Sequence, residues 1–222
     1  IVAKSFPKFR IRFTTSNPQD MDNEVLITMK AHNNICNHIH LPVQSGSDKI
    51  LKEMNRQHTR EEYLNLVTEI KTILPDCGIS QDMITGFPNE TEKDHLDTLS
   101  LMNLVKYDFG FMFKYSERPG TLASRKLDDN IPEEIKQRRL SEIIDLQFKH
   151  SFENLSKYVN KKTVVLIEKE SKKSKGFWAG RNEQNIMVVF PKEDFKTGEF
   201  VEVLVKENTA TTLKGLGLNR II

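Results

Sequence analysis

The chain has 222 residues, 37% of them hydrophobic and 29% charged, with a formal net charge of +2. That composition supports a buried core in one large domain or two modest ones, and no apolar run approaches the ~20 residues of a membrane span. The start, IVAKSFPKFRIRF, shows no secretory leader, and without an initiator Met it reads as the interior of a longer chain.

Cys36 and Cys77 stand alone, with no CxxC or CxxxC spacing. They favour free thiols in a reducing, cytoplasmic compartment over a disulfide framework or a metal site. The charge is uneven. Residues 161–222 hold 12 Lys and Arg against 8 Asp and Glu, and the first 160 hold 21 against 23. A basic C-terminal part on a near-neutral body points mildly to a polyanionic partner.

In chain order, RIRFTTS (10–16) predicts a strand and NEVLITMKAH (23–32) a helix. HIHLPVQ (38–44) predicts a second strand, followed by SDKILKEM as a helix. TREEYLNLVTEIKTIL predicts a helix opened by a capping box, Thr59 with Glu62 three residues later. GISQDMITGF (78–87) is strand-like, and ETEKDHLDTLSLMNLVK a helix with the same start, Thr91 to Asp94. FGFMFKYS (109–116) is the fourth strand, and Pro132 opens a long charged helix running towards Tyr158.

Four strand-then-helix units in a row predict a parallel sheet with helices outside, where functional loops follow the C-terminal strand ends. TTSNPQD, QSGSD, GFPNET and YSERPGT all sit at such ends. After about residue 160 the helical signals stop. TVVLIEKES, GFWAGRNEQN, IMVVFP, EFVEVLVKENTA and TLKGLGLN read as five short strands, a small β-barrel of the oligonucleotide-binding type.

Alternation places His40, Pro42 and Gln44 on one face of their strand, and Asp82, Ile84 and Gly86 on one face of theirs. Gln44 and Asp82 fit a ligand site at the strand ends and equally a satisfied polar pair over a packed core. Gly86 lets backbone approach a ligand, although many parallel turns look like GFPNE. No general acid–base pair, nucleophile triad or metal-spaced cluster is visible. From the residues alone, the reading is a parallel αβ ligand site followed by a basic β-barrel.

Taken together, RIRFTTSNPQDM, HIHLPVQSGSDKILKEMNRQHTREEYL, DMITGFPNETEKD and FMFKYSERPGTLA resemble, in order and spacing, the motifs of the radical S-adenosylmethionine methylthiotransferases. The tail resembles their TRAM domain, an RNA-binding β-barrel. The resemblance implies the later units of a radical-SAM, TIM-like barrel over 1–160 and a TRAM (OB-like) barrel over 161–222. It is nearest to the tRNA-modifying branch, which adds a methylthio group to C2 of N6-isopentenyladenosine beside the anticodon. That branch usually has His where this chain has Asn17. The ribosomal-protein-modifying branch is one alternative; a stand-alone RNA-binding module without chemistry is another.

Carried over by motif, the resemblance implies that Gln44, Ser45 and Ser47 lie by the bound S-adenosylmethionine and that Arg56 pairs with its carboxylate. It likewise implies that Asp82, Gly86 and Phe87 lie near its adenine and ribose and that Tyr115, Ser116 and Arg118 belong to the last barrel strand and its loop. The family uses two [4Fe-4S] clusters, a sulfur donor and an electron donor. One cluster cleaves S-adenosylmethionine reductively to a radical, and the other delivers methylated sulfur. Their ligating cysteines are absent from these residues. The expectation is therefore an inactive fragment with an open sheet edge prone to non-native self-association.

In the C-terminal barrel, Lys172, Lys173, Lys175, Trp178, Arg181, Lys214 and Arg220 are the candidate RNA contacts, suited to phosphates and a stacked base of the tRNA anticodon stem-loop. A solvated lysine turn with Trp178 packed in a small core fits the same residues.

Overall fold

The computed structural model describes residues 1–14 and 17–221. The chain divides into two compact units, one formed by 13–31 and 39–147, the other by 1–12, 32–38 and 148–222.

The first unit carries a three-stranded sheet in the order β1 (His38–His40), β2 (Gly78–Thr85), β3 (Phe109–Lys114). β2 and β3 are parallel, with Asp82 opposite Phe111 and Thr85 opposite Lys114. The connecting helices are α3 (Asp48–Glu53), α4 (Arg60–Ile73) and α5 (Glu92–Val105). Both predicted capping boxes form. Thr59 accepts from the Glu62 amide while Glu62 accepts from the Thr59 amide, and Thr91 and Asp94 do the same for α5. Each satisfies two amides that would otherwise lack partners.

The core of this unit is built on Leu26 of α2 (Asn23–Ala31), Ile39, Leu41, Ile50, Ile70, Met83 and Leu101, all fully buried. Two tyrosines cross it. Tyr107 Oη donates to Tyr63 Oη at 3.1 Å, and Tyr63 Oη donates to the Leu41 carbonyl at 2.9 Å. The buried hydroxyls are thus satisfied, which their burial requires.

Three sequence expectations change. The predicted 10–16 strand is reduced to one parallel bridge, Ile11 with Ile35; Thr15 and Ser16 lie outside the described residues. The predicted 38–44 strand stops at His40 because Pro42 has no amide to donate. The chain rejoins β2 only at Gln44, through a bridge to Met83. Two short helices, α1 (Val2–Ser5) and α6 (Leu122–Lys126), carried no periodic signal. The long helix α7 spans Glu133–Ser156, with Glu133 and Glu134 in its first turn as its dipole favours.

The second unit contains a closed barrel in the order β4-β5-β6-β8-β7, formed by β4 (Lys162–Glu170), β5 (Phe177–Arg181), β6 (Met187–Pro191), β7 (Phe200–Asn208) and β8 (Thr212–Ile221). The five predicted strands are all present. Strict alternation on β7 turns Val201, Val203 and Val205 inward to meet Val165, Ile167, Val188, Phe190 and Leu213. At about 1.5–3 kcal/mol for each large side chain buried, these residues drive closure. At β5, Gly180 lets β4 approach so closely that an added Cβ would strike the Leu166 carbonyl.

Candidate functional site

In the first unit, Gln44, Gly86 and Tyr115 fall beyond the C-terminal ends of β1, β2 and β3, and Asp82 lies inside β2, three residues before its end. Gln44 is tied into the sheet through its backbone. Its amide donates to Asp82 O and its carbonyl accepts from the Ile84 amide, both at 2.9 Å. Its φ is +74°, a left-handed conformation that costs a non-glycine residue about 1–2 kcal/mol. Its carboxamide makes no hydrogen bond among the described residues. Strain held at a polar side chain on a strand end is characteristic of binding sites.

Ser45 and Ser47 are buried, with their hydroxyls committed internally. Ser45 Oγ contacts Thr98 Oγ1 at 3.4 Å and accepts from the Ser47 amide at 3.2 Å. Ser47 caps α3 and donates to Asp94 Oδ1 at 2.6 Å. Asp94 also accepts from the Thr91 amide at 2.8 Å and from Lys49 Nζ at 3.1 Å. Burial alone would raise its pKa, but the bonds from Ser47, Thr91 and Lys49 outweigh that and hold it well below the usual carboxylate range.

A lowered carboxylate stabilises the fold above its ordinary value of 3.8, and the contribution is lost as pH falls through the lower folded-state value. Asp94→Asn should therefore lower unfolding stability at pH 7 by about 2 kcal/mol, given the charge-assisted bonds it removes. The difference from wild type should shrink below pH 3.8. Denaturant titrations at pH 7 and pH 3 check this, and an equal deficit at both would contradict it.

Asp82 is half-buried, 3.4 Å from His40 Nε2, while His40 Nδ1 lies 2.8 Å from Ser80 Oγ. Alternation along β2 thus places Ser80 and Asp82 on the face that His40 meets. Arg56 is exposed at the surface; partial burial lowers its pKa and the field of Asp82 opposes that, so the two charges sense one another. Beyond β2, Gly86 takes φ +70°, and the Phe87 ring meets Tyr115 edge-on at 5.0 Å. Ser116 and Arg118 are exposed in the following loop.

Two side chains that support the site were not visible in the sequence, and both come from α7. Lys136 packs its aliphatic stem where a side chain on Gly86 would sit. Its ammonium lies 2.6 Å from both Asp129 oxygens and 5.5 Å from the Tyr115 ring centre. One turn on, Arg139 meets Glu90 Oε2 at 2.8 Å and the Glu90 carbonyl at 3.0 Å. Glu90 in turn accepts from the Gly86 amide at 2.7 Å. Burial raises the Glu90 carboxyl, with the Gly86 amide and Arg139 opposing. The spacing i, i+3 on α7 puts both cations on the face that clamps GFPNE; the only sequence signal was that pair itself.

A free carboxamide, a half-exposed carboxylate and an aromatic wall fit a polar nucleoside ligand such as S-adenosylmethionine. Iron–sulfur ligation does not fit. Cys36 and Cys77 are single buried free thiols, burial pushes the Cys77 pKa up to about 12, and the described residues contain no group of three or more metal-ligating side chains.

In the barrel unit, Lys172, Lys173 and Lys175 are exposed in the β4–β5 turn and make no ion pair among the described residues. Trp178 is half-buried against the barrel core, with Lys192 Nζ 4.4 Å from its ring centre. Lys192 adds a cation that the sequence did not single out. Arg181, Lys214 and Arg220 are paired with Glu168 at 2.5 Å, Glu207 at 3.1 Å and Glu199 at 2.9 Å. Such half-exposed pairs contribute about 0–1 kcal/mol each, so a phosphate could replace the carboxylate at little cost.

The Radical SAM superfamily profile matches residues 2–102 and the TRAM domain profile residues 156–216. The chain is 62% identical over 215 residues to tRNA-2-methylthio-N(6)-dimethylallyladenosine synthase of Christiangramia forsetii, covering 97% of this chain and 45% of that protein. It is 60% identical to the synthase of the same name from Flavobacterium johnsoniae, with the same coverage, and 53% identical to that of Bacteroides fragilis, covering 47% of it. The chain thus spans about half the length of these curated relatives. Among solved structures, coproporphyrinogen III oxidase from Escherichia coli, a radical SAM enzyme, matches with a TM-score of 0.55 and 17% identity, covering 95% of this chain and 52% of that one; the likeness is one of fold. By these matches the chain carries a segment similar to the Radical SAM superfamily followed by one similar to the TRAM domain, and over 215 residues it is similar to about half of the tRNA-2-methylthio-N(6)-dimethylallyladenosine synthase of Christiangramia forsetii.

Proposed function

We propose that this chain supplies the S-adenosylmethionine-binding strand ends and the RNA-binding barrel of a tRNA methylthiotransferase, one that adds a methylthio group to C2 of N6-isopentenyladenosine next to the anticodon. The observation that carries the reading is the placement of Gln44, Gly86 and Tyr115 beyond adjacent strand ends, with Asp82 in the last half of β2, in one unit, and of Lys192 over the half-buried Trp178 in the other. The names of the relatives support the substrate.

In this reading Gln44 and Asp82 meet polar groups of S-adenosylmethionine, Arg56 meets its carboxylate, and Phe87 with Tyr115 forms an apolar wall. Ser45 and Ser47 act by fixing the loop, because their hydroxyls are already committed. When bound with a reduced cluster, S-adenosylmethionine supplies the radical chemistry. The residues of this chain bind and orient it, while thiolates for two [4Fe-4S] clusters, a sulfur donor and an electron donor come from outside these 222 residues. On this reading the setting is cytoplasmic; among the described residues no helix is long and apolar enough to cross a membrane.

The test is titration of the chain with S-adenosylmethionine, followed by NMR of the glutamine side-chain amides, and with an isopentenylated anticodon stem-loop across a salt series. Gln44→Ala should weaken S-adenosylmethionine binding about tenfold, the loss of one to two good hydrogen bonds. RNA binding should stay unchanged. Absence of any S-adenosylmethionine response up to millimolar concentration, with RNA binding intact, would leave a plain RNA-binding module instead.

A further inference from the structure

Resting on the RNA-binding reading above, we propose that Arg10, Arg12 and Arg181 form an oxyanion site that takes one phosphate of the RNA backbone. The three guanidiniums line a single pocket of roughly 360 Å³ with Leu166 and Glu168, and all five residues lie within the barrel-containing unit.

The placement follows from the sequence. Arg10 and Arg12 flank Ile11, whose amide donates to Asn34 O at 2.7 Å and whose carbonyl accepts from the Cys36 amide at 2.8 Å. Those bonds, with the Ile11–Ile35 bridge, keep the backbone extended, so residues on either side of Ile11 point the same way. Arg10 Nη1 then donates to the Arg181 carbonyl at 2.7 Å, and its guanidinium stacks over the Phe200 ring at 5.0 Å. Arg12 donates to the carbonyls of Asn182 and, at 3.2 Å, Glu183. Arg181 crosses to Glu168 at 2.5 Å.

These contacts fix the planes of two guanidiniums from one side through neutral carbonyls. Carbonyls orient a guanidinium without neutralising it, and each fork has five donors, so unused N–H groups remain for an oxyanion. The carboxylates acting on the pocket are Glu168 and Glu183, against three cations. Burial lowers the pKa of both Arg10 and Arg12, and neighbouring arginines lower them further, Arg12 acting on Arg10 and Arg181 on Arg12. Like charges held together in a partly dry pocket are relieved by a bound anion, and paired forks match phosphate geometry better than ammonium groups do.

The experiment follows the Arg Nε–Hε NMR signals of the whole chain during titration with the anticodon stem-loop, and separately with inorganic phosphate. It is paired with RNA affinity over a salt series for wild type, Arg181→Lys and Arg181→Gln. The expected result is a shift of the Arg10 and Arg12 signals on RNA addition at concentrations where inorganic phosphate has no effect. Arg181→Gln should weaken RNA binding about tenfold and reduce the salt slope by about 0.7 to 0.9, one phosphate contact. Arg181→Lys should fall between, keeping the charge but not the fork. If inorganic phosphate alone shifts the signals and RNA does not bind, the oxyanion site stands with a free phosphate as ligand, and the RNA reading falls. If RNA binds with these signals unmoved and the slope unchanged in Arg181→Gln, the site proposal is overturned while the RNA reading survives. Silence towards both ligands overturns both.

Discussion

Arg139→Ala should cost the first unit about 3–5 kcal/mol, because it removes one partner of a buried ion pair and leaves the other charged in a dry site. The Arg139 side chain is 5% exposed and that of Glu90 1%, so water cannot replace the lost partner. The loop geometry depends on the same pair: Glu90 holds the Gly86 amide at 2.7 Å, and Gly86 carries the left-handed turn that places Phe87 against Tyr115. The variant should therefore melt about 10 °C or more below wild type and respond more weakly to S-adenosylmethionine. Arg139→Met combined with Glu90→Gln, which removes both charges and keeps volume, should recover more than half of the lost stability. Urea unfolding of wild type, Arg139→Met, Glu90→Gln and the double variant gives the coupling directly. A single-variant cost below 1 kcal/mol would show that the pair is not holding the loop.

The second large effect belongs to Gly180→Ala, expected to destabilise the barrel by about 3 kcal/mol, the upper end of the range for overpacking. The added methyl meets Leu166 backbone atoms and Val165 Cγ1 at 2.9 Å, and backbone in a closed sheet has no rotamer by which to retreat. β4 and β5 must separate, which displaces Trp178 and Arg181 on β5. RNA affinity should drop together with barrel stability, measured by tryptophan fluorescence, since Trp178 is the one tryptophan of the chain. A variant that melts like wild type would mean that β4 bends away without loss.

What the sequence made legible was local. Thr59 with Glu62 and Thr91 with Asp94 announce helix starts because both partners of a capping box lie within four residues. The barrel strands were readable because Val201, Val203 and Val205 alternate cleanly with half-exposed neighbours. The sheet was readable less completely. Pro42 ended a run that looked like one strand to Gln44, and the positive φ at Gln44 breaks the alternation that placed it on the His40 face. RIRFTTS looked strand-like from β-branching, yet among its described residues only Ile11 finds a bridging partner. Lys136 and Arg139 could not be found, since their targets lie about 50 residues upstream and nothing local marks a surface lysine as the one that folds under a glycine turn. The arginine pocket escaped for the same reason. Arg10 and Arg181 are 171 residues apart, and only folding shows that their charges share a space.

The order of strands around the barrel has a bearing on how the protein is made. β8 lies between β6 and β7, antiparallel to one and parallel to the other, although it is the last of the five to be synthesised. While ribosomes are still translating residues 212–221, β6 and β7 each present a bare edge to the crowded cell, a state that templates pairing with other nascent chains. Closure therefore waits until β8 has been made. A premature stop codon before Thr212 would yield a sticky product destined for proteolysis rather than a slightly shortened barrel.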